Sequence, residues 1–160
     1  MIVILMGVSG SGKTTISQRL ANALGWQFYD GDIFHTHANV EKLKQGIALT
    51  DADRIPWLTA IRLKITELLE TGQSAVLACS ALKREYRNFL SGGNNIRFIY
   101  LKGSYSLISK RLENRHNHFM NPNLLSSQFD VLEEPEGVSV IDINQEPDVI
   151  VNQIKGELQH

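Results

Sequence analysis

At 160 residues the chain is long enough for one compact domain with a real core, and its 42% hydrophobic content is that of an ordinary folded protein. Sixteen Lys and Arg stand against seventeen Asp and Glu, for a formal net charge of −1. No basic block or stripe breaks that balance, and the cluster Lys83, Arg84 and Arg87 is too small to make a nucleic-acid surface. The single cysteine, Cys79, excludes an internal disulfide framework and reads as a buried strand residue rather than a nucleophile.

The first six residues, MIVILM, are continuously apolar and rich in β-branched types, the pattern of a strand buried on both faces. The run is too short to span a bilayer, so it is expected to be neither anchor nor signal peptide. It breaks into Gly7-Val8-Ser9-Gly10-Ser11-Gly12-Lys13-Thr14, which matches the phosphate-binding pattern G-x-x-x-x-G-K-[ST] at every fixed position. The glycines bring backbone N–H groups close to an anion without a Cβ in the way, and the positive end of the following helix adds to their pull. Lys13 can reach the β- and γ-phosphates, and the Thr14 hydroxyl is placed to ligate Mg²⁺. Gly7 to Thr15 are therefore assigned to a nucleoside triphosphate. Ile16, Leu20 and Ala23 then recur at helical spacing, and Gly25 stops that helix.

A second strand is predicted over Trp26–Tyr29, running into Asp30-Gly31-Asp32. A brief helix is expected over Val40–Gln45, ending at Gly46. Thr50 caps a long helix whose buried face is Leu58, Ile61, Ile65 and Leu68 and whose stop is Gly72. Ser74–Cys79 reads as the third strand, followed by a helix around Ala81–Leu90. Ile96–Leu101 is the fourth strand, and a helix follows over about Ser104–Asn114. Arg115 to Asn123 carries no clean period and is expected to be a mobile loop or lid. A helix around Leu125–Leu132, a fifth strand at Val138–Ile143 and a last helix opened by Pro147 complete the chain. Strands alternating with helices predict a parallel five-stranded sheet covered on both faces in one domain over 1–160.

Ligands of such a sheet sit beyond the carboxyl ends of its strands, where Asp30, Asp32, Ser80 and Lys83 all fall. One carboxylate near Mg²⁺ and its waters, and one near an attacking hydroxyl, is what phosphoryl transfer needs. Asp30 is assigned to the metal's waters and Asp32 to the hydroxyl. Arg54, Lys83 and Arg87 could hold an anionic acceptor. Arg111 and Arg115, four apart on one helix face, could close over the phosphates. The pairs His35/His37 and His116/His118 lack the cysteines and spacing of a zinc site; His35 reads as a substrate contact or a capped loop residue, and Trp57 as core.

Taken together, GVSGSGKTT, DGDIFHTHANVEKLKQGIALTDADRIPWL, CSALKREYR, FIYLKG, HFMNPNLLSSQFDVLEEP and VIDINQ resemble the gluconokinase family, P-loop small-molecule kinases related to shikimate and nucleoside monophosphate kinases. The resemblance runs nearly end to end. It implies a P-loop NTPase-type α/β fold with a substrate-binding helical section at about 33–72 and a lid at about 115–124. It also implies ATP and Mg²⁺ as cofactors, transfer to D-gluconate, a cytoplasmic enzyme with neither nucleic acid nor membrane as partner, and often a homodimer. On that mapping Asp32, His35, Arg54, Lys83, Arg87 and His118 face the substrate, and Asp142 and Gln145 lie near adenine. Thr36, Leu43, Ala48 and Asn117 depart from the family's usual Pro, Met, Pro and Gly. The rival readings are another small-molecule kinase on this scaffold and a nucleotide-dependent switch that transfers nothing; only a catalyst needs Asp32 and the arginines.

Overall fold

The chain alternates strand and helix because short continuous apolar runs, as in IVILM and AVLA, give way to stretches whose apolar residues recur at about 3.6. In a computed structural model, which describes residues 1–92, 95–114 and 122–159, the strands are β1 (Ile2–Met6), β2 (Gln27–Asp30), β3 (Ala75–Ala78), β4 (Ile96–Lys102) and β5 (Ser139–Asp142). They lie in the order β2-β3-β1-β4-β5, all parallel. Helices α1 (Lys13–Leu24), α2 (His37–Lys44), α3 (Asp51–Glu70), α4 (Arg84–Leu90), α5 (Tyr105–Glu113), α6 (Pro122–Val131) and α7 (Pro147–Leu158) connect them.

Every residue of β1 is buried, so its alternation divides two cores rather than a core from solvent. Val3 and Leu5 pack with Ile16 and Leu20 of α1, Ile108 of α5 and Ile154 of α7. Ile2, Ile4 and Met6 point the other way, against Trp57, Ile61 and Ile65 of α3 and Leu90 of α4. The α1 face differs from expectation: Ser17 and Ala21 join Ile16 and Leu20 on the buried side, while Ala23 is exposed.

Two helix boundaries are corrected. α2 starts three residues earlier than its apolar pattern suggests, because the Thr36 hydroxyl accepts the Asn39 N–H and caps it. α4 starts three residues later than expected. Ala81 sits at φ 43, outside helical geometry, and the Ala81 and Leu82 carbonyls are occupied by the Arg87 guanidinium. α6 begins at Pro122, so the end of the proposed lid stretch is already helix; Arg115 to Asn121 lie outside the described residues. Thr50 and Asp53 form a reciprocal capping box at the start of α3, as Thr50 had promised.

The acid turn is pinned by sheer closeness. β2 leads into a 3₁₀ turn, Gly31–Phe34. A Cβ on Gly31 would lie 2.5 Å from the Ala78 carbonyl oxygen, a backbone atom at the end of β3 that has nowhere to go. Gly31→Ala should therefore lower Tm by roughly 2–10 °C, the cost of overpacking a rigid backbone contact. Gly156→Ala, on an open helical face with nothing within 4 Å, should leave it unchanged or raise it. Circular dichroism melts of the two variants check both signs.

Candidate active site

Three strand ends converge on one cleft. β1 ends in the glycine loop, whose Gly7 N–H donates to the Ser80 carbonyl just beyond β3 at 3.3 Å. Gly12, at φ 93, takes the left-handed turn that starts α1 and aims its first N–H groups at the cleft. The Lys13 ammonium donates to the Gly7 and Val8 carbonyls, each at 3.0 Å. Burial lowers its pKa, and the negative charges of Asp32 and Asp30 only partly oppose that. An ammonium so placed gains from any anion brought beside it.

Across the cleft, the Asp32 N–H donates to Asp30 Oδ1 at 3.0 Å and locks the turn. Burial raises the Asp30 pKa first; that same N–H lowers it, the Asp32 charge raises it, and Lys13 and the Thr14 hydroxyl pull it back down. Asp30 is thus a half-buried carboxylate that a cation would relieve. Together with Ser9, Lys13, Asp32, His35 and Arg54, it faces a cavity of about 420 Å³. That volume is within the range of small-molecule sites.

Trp57 serves both core and site. It is 1% exposed, its Nε1–H donates to the Gly31 carbonyl at 2.8 Å, and its ring stacks on His35 with centroids 4.4 Å apart. Arg54 reaches the cavity on a chain of hydrogen bonds: its Nη1 donates to the Tyr86 hydroxyl at 3.1 Å, and that hydroxyl donates to Asp51 Oδ1. Tyr86→Phe removes the group that orients Arg54 without touching the cavity wall. It should raise the acceptor KM about three- to tenfold, the loss of one charge-assisted hydrogen bond, with kcat and the ATP KM nearly unchanged in steady-state assays.

The whole arrangement has close relatives. The shikimate kinase family model matches residues 9–154. A probable gluconokinase of Dictyostelium discoideum is 45% identical over 96% of this chain and 84% of its own length. A gluconokinase of Gluconobacter oxydans is 44% identical over 95% of this chain and 88% of its own. The solved structure of a gluconokinase from Sinorhizobium meliloti superposes with a TM-score of 0.88 at 40% identity, over 98% of this chain and 90% of that one. The chain belongs to the gluconokinase family. It is an ATP-dependent kinase of the P-loop type.

Within this gluconokinase-family scaffold several expected site residues lie elsewhere. Arg87 does not line the cavity: it is 7% exposed, and its guanidinium donates to the carbonyls of Ala81, Leu82 and Glu133, tying the turn after β3 to the segment after α6. Lys83 does not line the cavity; its ammonium lies 2.9 and 3.2 Å from the two Asp51 oxygens, so it neutralises the carboxylate that holds Tyr86. Arg111 does not line the cavity; its Nη2 donates to the Ile143 carbonyl at 2.6 Å, placing it beside the loop after β5. In that loop the Asp142 carboxylate accepts the Asn144 N–H, and Gln145 Nε2 donates to the Asp142 carbonyl. Arg115, His116, Asn117 and His118 lie outside the described residues.

The structure also brings in residues the sequence did not single out. Gln128 of α6 accepts the Ser9 N–H at 2.7 Å and donates to Ser9 Oγ at 3.0 Å, clamping the phosphate loop from 119 positions away. No local pattern could reveal that pairing. Asn39 is buried on α2 and contacts His35; a polar side chain on the inward face of an amphipathic helix was its one available signal. Burial pushes the Cys79 thiol up to about 12, which leaves it inert.

Proposed function

We propose that this protein transfers the γ-phosphoryl group of ATP to the 6-hydroxyl of D-gluconate, giving 6-phospho-D-gluconate and ADP, as a cytoplasmic enzyme. The observation that carries the reading is the single cavity shared by Lys13 on its phosphate side and Asp32, His35 and Arg54 on its acceptor side. Kinship points the same way, since the named relatives are gluconokinases.

In this reading the N–H groups from Gly10 to Thr14 bind the β-phosphate, and Lys13 bridges β and γ. Asp32 orients or deprotonates the attacking hydroxyl. Arg54 binds the carboxylate end, with His35 beside it. Asp142 and Gln145 lie toward adenine, with Arg111 held against their loop by its bond to the Ile143 carbonyl. Thr14 and Asp30 fit Mg²⁺, since both present oxygen and burial leaves the Asp30 carboxylate short of positive charge. Thr14 would hold the ion directly and Asp30 through water; when bound, it supplies positive charge to the transferring phosphate. Transfer needs little covalent help from the protein, so alignment and charge across the cleft do most of the catalysis.

ADP release measured with gluconate, other sugar acids, shikimate and nucleoside monophosphates tests the proposal. Gluconate should give the highest kcat/KM, by at least about a hundredfold over shikimate, because a site built to bond hydroxyls rejects misplaced ones. Faster turnover of shikimate or a nucleotide would overturn it, and ATP binding without acceptor-dependent turnover would favour a non-catalytic switch.

A further inference from the structure

The imidazole of His35 is held on its face and on its edge. Trp57 stacks flat against it, with 12° between the ring planes. Asn39, 2% exposed, meets its edge. The Asn39 amide has no freedom of orientation: its nitrogen lies 2.8 Å from the Asp53 carbonyl oxygen, which can only accept, so the group there is the NH₂. The same nitrogen lies 3.4 Å from His35 Nδ1. A donor facing a ring nitrogen requires a lone pair on it, which leaves the single hydrogen of a neutral imidazole on Nε2.

We propose that Asn39 is a positioning residue that fixes His35 as the neutral Nε2–H tautomer, so that the ring serves the acceptor cavity as a hydrogen-bond donor and not as a base. The anchor behind it is firm: the Asp53 carboxylate is bound by Lys42 at 2.9 and 3.0 Å, tying the start of α3 to α2 and keeping the Asp53 carbonyl in place. A proton added to Nδ1 would meet the Asn39 NH₂ head-on. The charges around the ring are Asp32 on the 3₁₀ turn, Arg54 on α3, Lys44 on α2, and Lys13 and Asp30 farther along the same cavity. Burial lowers the His35 pKa, Asp32 raises it and Arg54 lowers it again, in that order of size. With Nδ1 spent on Asn39 and Nε2 protonated, His35 selects an acceptor oxygen, and proton removal falls to Asp32. That this oxygen belongs to a sugar acid rests on the reading above; the tautomer does not.

Long-range ¹H–¹⁵N correlation spectra of the full chain labelled with ¹⁵N-histidine test this, the His35 signals being assigned by their loss in His35→Gln. The expected pattern is protonated Nε2 and bare Nδ1, persisting to a pH below the midpoint of an ordinary histidine. Asn39→Ala should mix the two tautomers and raise the gluconate KM about tenfold, the loss of one well-placed hydrogen bond, with kcat and the ATP KM within about twofold. An Nδ1–H tautomer in the unmodified protein overturns the proposal, as does an unchanged tautomer in folded Asn39→Ala. If that variant does not fold, the spectrum of the unmodified protein decides. If gluconate proves not to be a substrate while the Nε2–H form is seen, the sugar-acid reading fails and the assignment of Asn39 stands.

Discussion

Lys13→Met should cut turnover by about 10²–10³-fold while leaving the fold standing, because it removes the one cation of the phosphate loop, which is part-buried, and keeps the aliphatic stem that packs there. Burial already lowers the Lys13 pKa in the folded protein. A base whose folded pKa lies below its unfolded one carries a stability penalty while it is protonated in both states, and that penalty fades only as pH rises toward the unfolded value. Removing the charge at neutral pH therefore relieves a cost. Against this stands the loss of the donor shared by the Gly7 and Val8 carbonyls, each 3.0 Å from the ammonium. The two effects oppose each other, so Tm should move by no more than about 4 °C, the equivalent of roughly 1 kcal/mol. Thermal melts and ADP release on the same preparation separate the terms. A variant that turns over within a factor of ten of the parent protein would remove Lys13 from the transfer step.

What the sequence made legible was whatever is encoded locally. The glycine loop follows a strand and opens a helix, so spacing alone carried its assignment to α1 and the cleft. Asp30 and Asp32 were readable for the same reason: they sit two apart at a strand end, in a turn the chain makes for itself. The parallel sheet followed from alternation, but its order β2-β3-β1-β4-β5 did not, since nothing in the strand pattern says which neighbour each strand finds. Arg87 misled for an instructive reason. On paper it is a helix-face cation near other cations; in the fold, the left-handed Ala81 turns two carbonyls toward it and a third arrives from Glu133. Backbone groups buried in an irregular turn need donors, and a long guanidinium satisfies three of them at once. Lys83 was displaced by a partner, Asp51, that stands thirty-two residues away. Trp57 was read as core, and it is core, but a buried indole still needs a partner for its N–H. The Gly31 carbonyl supplies it, and that bond carries Trp57 to the edge of the cavity.

Of the two acids in the turn, Asp32 is the one whose replacement should cost more turnover. The Asp30 carboxylate is committed: its Oδ1 accepts the Asp32 N–H. Among the described residues no hydrogen bond engages the Asp32 carboxylate, which lines the cavity with Lys13 and leads the attractive charges felt by that ammonium. An acid free of structural duty and facing an acceptor can orient or take a proton; an acid already tied to a backbone N–H cannot swing to do so. Asp32→Asn keeps the shape of the side chain, and the bond that locks the turn runs from the backbone of residue 32, so the substitution leaves the turn intact. We expect kcat to fall by about 10²–10⁴-fold, the usual worth of a positioned general base, with the ATP KM within about threefold of the original. Asp30→Asn should behave differently, raising the Mg²⁺ concentration needed for half-maximal rate and recovering much of its kcat when the ion is saturating. The two profiles, kcat against acceptor and rate against Mg²⁺, distinguish a base from a group that holds the metal's waters. If Asp32→Asn weakened ATP as much as it slowed turnover, its carboxylate would be acting on the nucleotide side of the cleft, and the division of labour between the two acids would be reversed.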